Sequence, residues 1–127
     1  MKVERMDAQV SKRILTSMIT DPAVCGRIAA HWGAGLFRGK WENIVGGWCA
    51  KYFTKYETAP GVEIETAFRA WAQDAKDDST IQLVESFLHT LSGEYEKRGA
   101  DSAEYIIDLA AEHFKETRML EIGRAHV

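Results

Sequence analysis

Apolar residues recur at every third or fourth position along most of this chain, which is the spacing of one face of an α-helix. No stretch alternates cleanly between apolar and polar residues over the length of a β-strand. The pattern therefore predicts helices throughout and no sheet. The predicted helices span residues 7–19, 22–32, 39–56, 63–75, 79–97 and 101–120.

Capping residues mark several of the predicted helix ends. Asp21 followed by Pro22 has the order of an N-cap and a first helical residue, which predicts the start of the second helix. Gly33 is expected to end that helix in the left-handed conformation, which costs glycine little. Asp101 and Glu104 have the spacing of a capping box at the start of the last helix.

These elements predict an all-α fold: a compact bundle of about four helices over residues 7–75, followed by an antiparallel helical hairpin over residues 79–120. The last two predicted helices are long, amphipathic and joined by a short loop, as helical hairpins are. The length of 127 residues is that of one domain. Leu36 and Phe37 are large apolar residues in a predicted connector, so we expect them to dock on the core.

Gly46 and Gly47 lie inside the predicted third helix. Each glycine there costs up to about 1 kcal/mol relative to alanine, so its presence needs a reason. We interpret the pair as a place of close approach between helices. A hinge is the alternative.

Composition narrows the class of protein. Hydrophobic residues make up 46% and charged residues 28% of the chain, which is ordinary for a globular domain. The net charge of -3 argues against a dedicated nucleic-acid-binding module, which usually carries a basic face and a high pI. The two cysteines and the lack of a signal-like N-terminal segment predict a reducing, cytoplasmic setting. Apolar runs are too short to predict a membrane span, which needs about 18–20 residues.

One segment resembles a nucleotide-binding loop, and we reject that interpretation. Residues 34–41 read Ala-Gly-Leu-Phe-Arg-Gly-Lys-Trp, close to the G-x-x-x-x-G-K-[ST] pattern. Ala34 stands where the first glycine belongs, and Trp41 stands where a magnesium-binding hydroxyl belongs. No strand precedes the segment, although the motif works only between a strand and a helix.

No other grouping of residues predicts chemistry. The histidines have no second histidine or cysteine at metal-ligand spacing, and we interpret His113 as a satisfied, partly buried side chain. Cys25 and Cys49 are interpreted as buried thiols that behave as small hydrophobes. Acidic pairs fall at loops and helix ends, where capping and solvation explain them. We therefore predict no catalytic residue, no metal ligand and no cofactor-binding residue in this chain.

A set of basic and aromatic residues around the start of the third helix has two interpretations. Arg38, Lys40, Trp41 and Trp48 together provide the charge and stacking groups of a surface for single-stranded nucleic acid. Trp41 and Trp48 are also seven positions apart, on one helical face, as core residues are. Packing in the core is the preferred interpretation.

The last seven residues, 121–127, have an unusual property. They can be encoded by GAG ATC GGA AGA GCA CAC GTC, which resembles the start of a widely used sequencing adapter. We therefore expect residues 121–127 to be an artefact and the natural protein to continue beyond Leu120. A genuine polar C-terminus is the alternative.

The order of features resembles a known family. A leading amphipathic helix over residues 11–22 precedes Leu36-Phe37, and a helix with an aromatic and apolar stripe follows. The stripe and the positions after it are Trp41, Ile44, Trp48, Tyr52, Tyr56, Pro60, Ile64, Ala67 and Phe68. This order resembles the N-terminal domain of DnaB-type replicative helicases, in the divergent form carried by phages and prophages, over residues 11–120. Trp41-Glu42 departs from that family, which often has histidine and arginine there.

The resemblance implies a non-catalytic assembly and protein-interaction domain. In that family the hairpin pairs with a neighbouring subunit to help form the N-terminal collar of a hexamer. The domain also contacts primase and helicase loaders, while ATP and magnesium are bound by a separate C-terminal motor domain. The implied parent is a homo-oligomeric, ATP-dependent DNA helicase of the cytoplasm, with direct DNA contact left open. The alternative is a stand-alone helical adaptor or regulatory protein of phage origin.

Four apolar residues lie off the main stripes of the two hairpin helices and are predicted to form a self-association surface. They are Leu83, Phe87, Tyr105 and Leu109. Apolar surface that stays uncovered when the two hairpin helices pack together must be covered by a second protein, or it remains as an exposed patch. The alternative is that all four pack within the monomer.

Overall fold

In a computed structural model of the chain, the described residues form six α-helices and one 3-10 turn, Gly61–Glu63. The described residues are 2–33, 36–74, 77–99 and 101–125, with side chains described for residues 9–33, 36–74, 77–97, 99 and 101–114. The helices are α1 (Lys2–Thr20), α2 (Pro22–Ala29), α3 (Lys40–Tyr56), α4 (Ile64–Asp74), α5 (Asp78–Arg98) and α6 (Ala103–Ala125). No strand occurs in this part of the chain, and the predicted all-α fold is confirmed.

Helix α1 is the central element of the bundle, because it packs on α2, α3, α5 and α6. Its residues Ile14, Leu15 and Met18 are completely buried, as their helical spacing predicts. The core around them is completed by Val24, Cys25, Ile28, Phe37, Val45, Cys49, Leu91, Ile106 and Ala110. Helices α5 and α6 therefore belong to the same core as the first three helices.

Helix α4 is held at the edge of the bundle. It contains no fully buried residue and packs on α3 and on the 3-10 turn. The contact with α3 is aromatic: the Trp48 ring lies 6.5 Å from Phe68 and 5.9 Å from Trp71 between centroids. Helix α4 therefore has its main helical contact with α3, and its first residue, Ile64, packs against the core.

The ends of α2 agree only in part with the sequence. Asp21 accepts a hydrogen bond from the Ala23 backbone N–H at 2.9 Å, and Pro22 is the first helical residue, so the predicted N-cap is confirmed. The predicted left-handed cap at Gly33 is wrong. The helix ends at Ala29 with the right-handed residue Ala30 as its cap, because backbone hydrogen bonds continue the turn.

The start of α6 also differs from the predicted one. The helix begins at Ala103, so Ser102 is the N-cap, and its hydroxyl accepts from the Tyr105 N–H at 3.5 Å. The predicted capping box of Asp101 and Glu104 is wrong. The Asp101 carboxylate instead accepts two hydrogen bonds of 2.9 Å from Arg13 in α1, and such charge-assisted pairs are stronger than a cap to one amide.

Gly46 explains the glycine pair in α3. A Cβ atom added there would lie 2.5 Å from the Trp32 ring and 3.1 Å from the Phe37 ring. The same atom on Gly47 would meet only Trp32, at 4.0 Å. The predicted close approach is therefore found at Gly46, where two aromatic rings lie against the helix backbone.

The two glycines should respond in opposite ways to alanine. Gly46→Ala should lower the free energy of unfolding by about 1–3 kcal/mol, because its methyl group collides with the aromatic rings. Gly47→Ala should raise it by up to about 1 kcal/mol, because alanine is the better helix former and has space. Equilibrium urea unfolding measures both. Stabilisation by both substitutions would contradict the packing described for Gly46.

Candidate interaction surface

The predicted self-association residues fall into two pairs. The side chains of Leu83 and Tyr105 are 54% and 48% exposed. Phe87 and Leu109 are partly buried and pack against the core. The first pair therefore lies on the surface of the monomer, where self-association stays a prediction, and the second pair packs against the core.

The exposed Tyr105 ring is held by Arg13, which also forms an ion pair with Asp101. The Arg13 guanidinium lies 4.8 Å from the centre of the Tyr105 ring, within the range of a cation–π contact. The hydrogen bonds from Arg13 to Asp101 raise the pKa of the guanidinium, against the opposing effect of partial burial. Arg13 is therefore a permanent cation. Its guanidinium contacts both the Asp101 carboxylate and the Tyr105 ring, and it orients the exposed tyrosine.

A groove of about 650 Å³ opens between α4 and α5, with the end of α1 as its floor. Its apolar lining consists of Ile19, Val62, Ile64, Phe68, Leu88, Leu91 and Tyr95. The lining also includes exposed charged and polar side chains, Glu65 and Arg69 on α4 and Glu85 and His89 on α5. At the end near the 3-10 turn, the Val62 side chain is 83% exposed. The groove has the lining of a site for an amphipathic helix.

The apolar spacing along the chain did not predict this groove. Tyr95, one of its lining residues, is 39% exposed. Val62 was a usable signal, because it is a large apolar residue in a turn. The space between α4 and α5 depends on how α4 packs on α3. That packing joins residues far apart in sequence.

The histidine and the cysteines have the structural roles that the sequence predicts. Ser11 Oγ and His113 Nε2 lie 3.0 Å apart in a buried hydrogen bond between α1 and α6. Burial raises the pKa of the Cys25 thiol to about 11 and that of Cys49 well above its usual value. Thiols with raised pKa values are poor nucleophiles at neutral pH, so both cysteines act as core residues.

The segment that resembles a nucleotide-binding loop is closed by a side chain. Ala34 and Gly35 lie outside the described residues. The Phe37 N–H donates to Asn43 Oδ1 at 3.0 Å, and Asn43 Nδ2 donates to the Phe37 carbonyl at 2.7 Å. Nucleotide-binding loops present backbone N–H groups to phosphates, whereas the Phe37 N–H is bonded within the protein.

The two tryptophans of α3 differ in their surroundings. Trp48 is partly buried and packs against the core, as the preferred interpretation from the sequence predicts. Trp41 is also partly buried, but it is not among the described side chains packed on the core, and Lys40 Nζ lies 5.1 Å from its ring centroid. Core packing therefore accounts for only one of the two.

No protein-family model matches this chain, and no curated protein or solved structure gave a match. The described residues contain no group of three or more His, Cys, Asp or Glu side chains that could hold a metal ion. Within the same residues, no helix combines the length and apolar character needed to cross a membrane.

Proposed function

We propose that this chain is a non-catalytic assembly and protein-interaction domain of a DnaB-type replicative helicase. In this role it mediates ring formation and contacts with primase or a helicase loader. The observation that carries the proposal is the apolar groove between α4 and α5. The order of helices and apolar positions from Ser11 to Leu120, described above, supports the choice of family.

The groove favours a protein partner over a small molecule. Seven of its lining residues are apolar, its charged residues are exposed, and it is an open groove, whereas a small molecule is usually held in a more enclosed pocket. An amphipathic helix that fills such a groove removes apolar surface from water, while the exposed charged side chains of the groove set its register. A partner that covers an exposed apolar side chain such as Val62 removes its surface from water, which favours binding.

Two separate surfaces also fit a ring subunit. The groove is lined by Glu85, Leu88 and Ser92 of α5, whereas Leu83 projects from another side of the same helix. A closed ring of identical subunits needs two different patches on each subunit, one for each neighbour. Leu83 on α5 and Tyr105 on α6 are both exposed and do not line the groove.

In this proposal the ATP-dependent chemistry belongs to a separate motor domain that binds ATP and magnesium. The alternative is a stand-alone helical adaptor of phage origin, which the same groove would serve equally well. The coding DNA beyond the codon for Leu120 separates the two. A reading frame that continues into a phosphate-binding motif supports the helicase, and a stop codon there supports the adaptor.

The exposed pair should control self-association. Leu83→Glu with Tyr105→Glu should raise the dissociation constant of the oligomer at least about 30-fold, because charge is forced into a desolvated interface. Size-exclusion chromatography with light scattering measures the mass, and circular dichroism should show unchanged helix. By contrast, Phe87→Glu and Leu109→Glu should lower stability by about 2 kcal/mol or more, because both residues pack on the core.

A charge-matched control is Ala23→Glu with Gln73→Glu, two exposed helical positions, on α2 and α4, that lie outside both surfaces. This variant should keep the mass of the wild-type protein. A wild-type chain that stays monomeric at all concentrations would contradict the self-association part of the proposal.

A further inference from the structure

The outward side of α3 carries a line of lysines. Lys40, Lys51 and Lys55 are all exposed. Positions 51 and 55 are one helical turn apart, which separates them by about 6 Å along the axis, and position 40 lies about 16 Å before position 51. The three residues project to the same side of the helix, away from its buried residues Val45 and Cys49.

Aromatic rings form a second line directly beside the lysines. Trp41, Trp48 and Tyr52 follow one another at spacings of seven and four, and Tyr56 extends the line by another turn. The Tyr52 and Tyr56 rings lie 4.6 Å apart between centroids, and Tyr56 is 54% exposed. Of these four rings, only Trp48 is among the side chains packed on the core. The other three leave aromatic surface that the fold does not use in its core.

The charge of this side of α3 is uniformly positive. None of the three lysines has a carboxylate within salt-bridge distance among the described residues. Glu42, the acidic residue of α3, has its carboxylate against Gly39 at the start of the helix. Two of the ammonium groups instead lie over rings, Lys40 over Trp41 at 5.1 Å and Lys55 over Tyr56 at 5.3 Å.

We propose that this face of α3 binds single-stranded DNA. The α3 lysine–aromatic face is defined by Lys40, Trp41, Lys51, Tyr52, Lys55 and Tyr56. Ammonium groups in a line complement a phosphate backbone, and neighbouring rings offer stacking platforms for unpaired bases. A duplex keeps its bases stacked inside, so it cannot use the rings. The choice of DNA over RNA rests on the proposed function.

Binding should be of modest affinity and sensitive to salt. Three phosphate contacts give a slope of about -2 in log affinity against log salt, so raising salt from about 50 to about 200 mM should weaken binding roughly 20-fold. The net charge of -3 on the whole chain also keeps the affinity modest, because the remainder of the surface repels phosphate.

Fluorescence anisotropy with a labelled dT20 oligonucleotide and the full chain tests the proposal. Lys51→Glu with Lys55→Glu should weaken binding at least about tenfold, and Tyr52→Leu at least about fivefold, since one stacked base contributes 1–3 kcal/mol. The matched control is Arg27→Glu with Lys97→Glu, which makes the same change in net charge on exposed positions of α2 and α5. The control should change binding less than about twofold.

Several results would overturn the proposal: no salt-sensitive binding of dT20, an equal loss in the control, or tighter binding of rU20 or of a duplex. Circular dichroism confirms that each variant is folded. Light scattering separates this proposal from the assembly role, because Lys51→Glu with Lys55→Glu should keep the wild-type mass. An oligomer that does not bind dT20 refutes the α3 face alone, and a monomer that binds dT20 refutes the assembly role alone.

Discussion

Replacing Phe37 with alanine should lower the free energy of unfolding by about 3–5 kcal/mol, a large share of the 5–15 kcal/mol typical of a small domain. The Phe37 side chain is only 1% exposed, although it lies between two helices and not within one. Its ring meets Phe114 edge-on at 5.1 Å and lies 6.1 Å from Trp32. The substitution would leave a cavity among aromatic rings that have little freedom to close it.

The backbone around Phe37 makes such a cavity hard to fill. Asn43 accepts from the Phe37 N–H and donates to the Phe37 carbonyl, so the connector is fixed to α3 on both sides of the residue. A fixed backbone relaxes little, and the cost of a cavity rises with its residual volume. Equilibrium urea unfolding followed by circular dichroism measures the loss.

Leu83→Ala is the appropriate control for Phe37→Ala. It also removes a large apolar side chain, but from a position that is 54% exposed, so its cost should stay below about 1 kcal/mol. If Phe37→Ala were equally mild, the connector would not be an anchor of the core. The order of the two costs therefore tests the fold directly.

Alkaline pH should destabilise the fold through its buried thiols. Burial raises the pKa of Cys25 from its usual value of 9.0 to about 11. Below pH 9 the thiol is protonated in both the folded and the unfolded chain, and the full stability is present. Between pH 9 and 11 only the unfolded chain loses the proton, so stability falls as pH rises. The loss from Cys25 is about 2–3 kcal/mol across that window, at about 1.4 kcal/mol per pKa unit.

Cys49 should act in the same direction. Burial raises its pKa well above the usual value, and the nearby Cys25 charge adds to the effect. Urea unfolding at pH 7.5, 9 and 10, with a reductant present, measures the dependence. Because lysines and tyrosines also titrate in this range, the comparison is with Cys25→Ala combined with Cys49→Ala. That variant should lose less stability between pH 7.5 and 10, and an equal loss in both proteins would rule out the thiols as the cause.

The sequence alone determined the helices and much of the core. A helix forms from hydrogen bonds within four residues, so the apolar spacing of Ile14, Leu15 and Met18 was sufficient to predict both the helix and its buried side. The same is true of the N-cap at Asp21, where side chain and amide are two residues apart. Two large apolar residues in a connector were sufficient to predict that Phe37 docks on the core.

Only the tertiary structure decided the contacts between distant parts of the chain. Asp101 pairs with Arg13, 88 residues away, and Ser11 pairs with His113, 102 residues away. Tertiary structure also decided which of the predicted self-association residues are exposed and which are partly buried. The apolar spacing of a helix gives the direction of its buried side, but the neighbouring helices determine how wide that side is. Leu83 was left outside that width and Phe87 inside it. The groove exists because α4 packs on α3 while α5 packs on α1, and no local pattern records how far apart two helices are held.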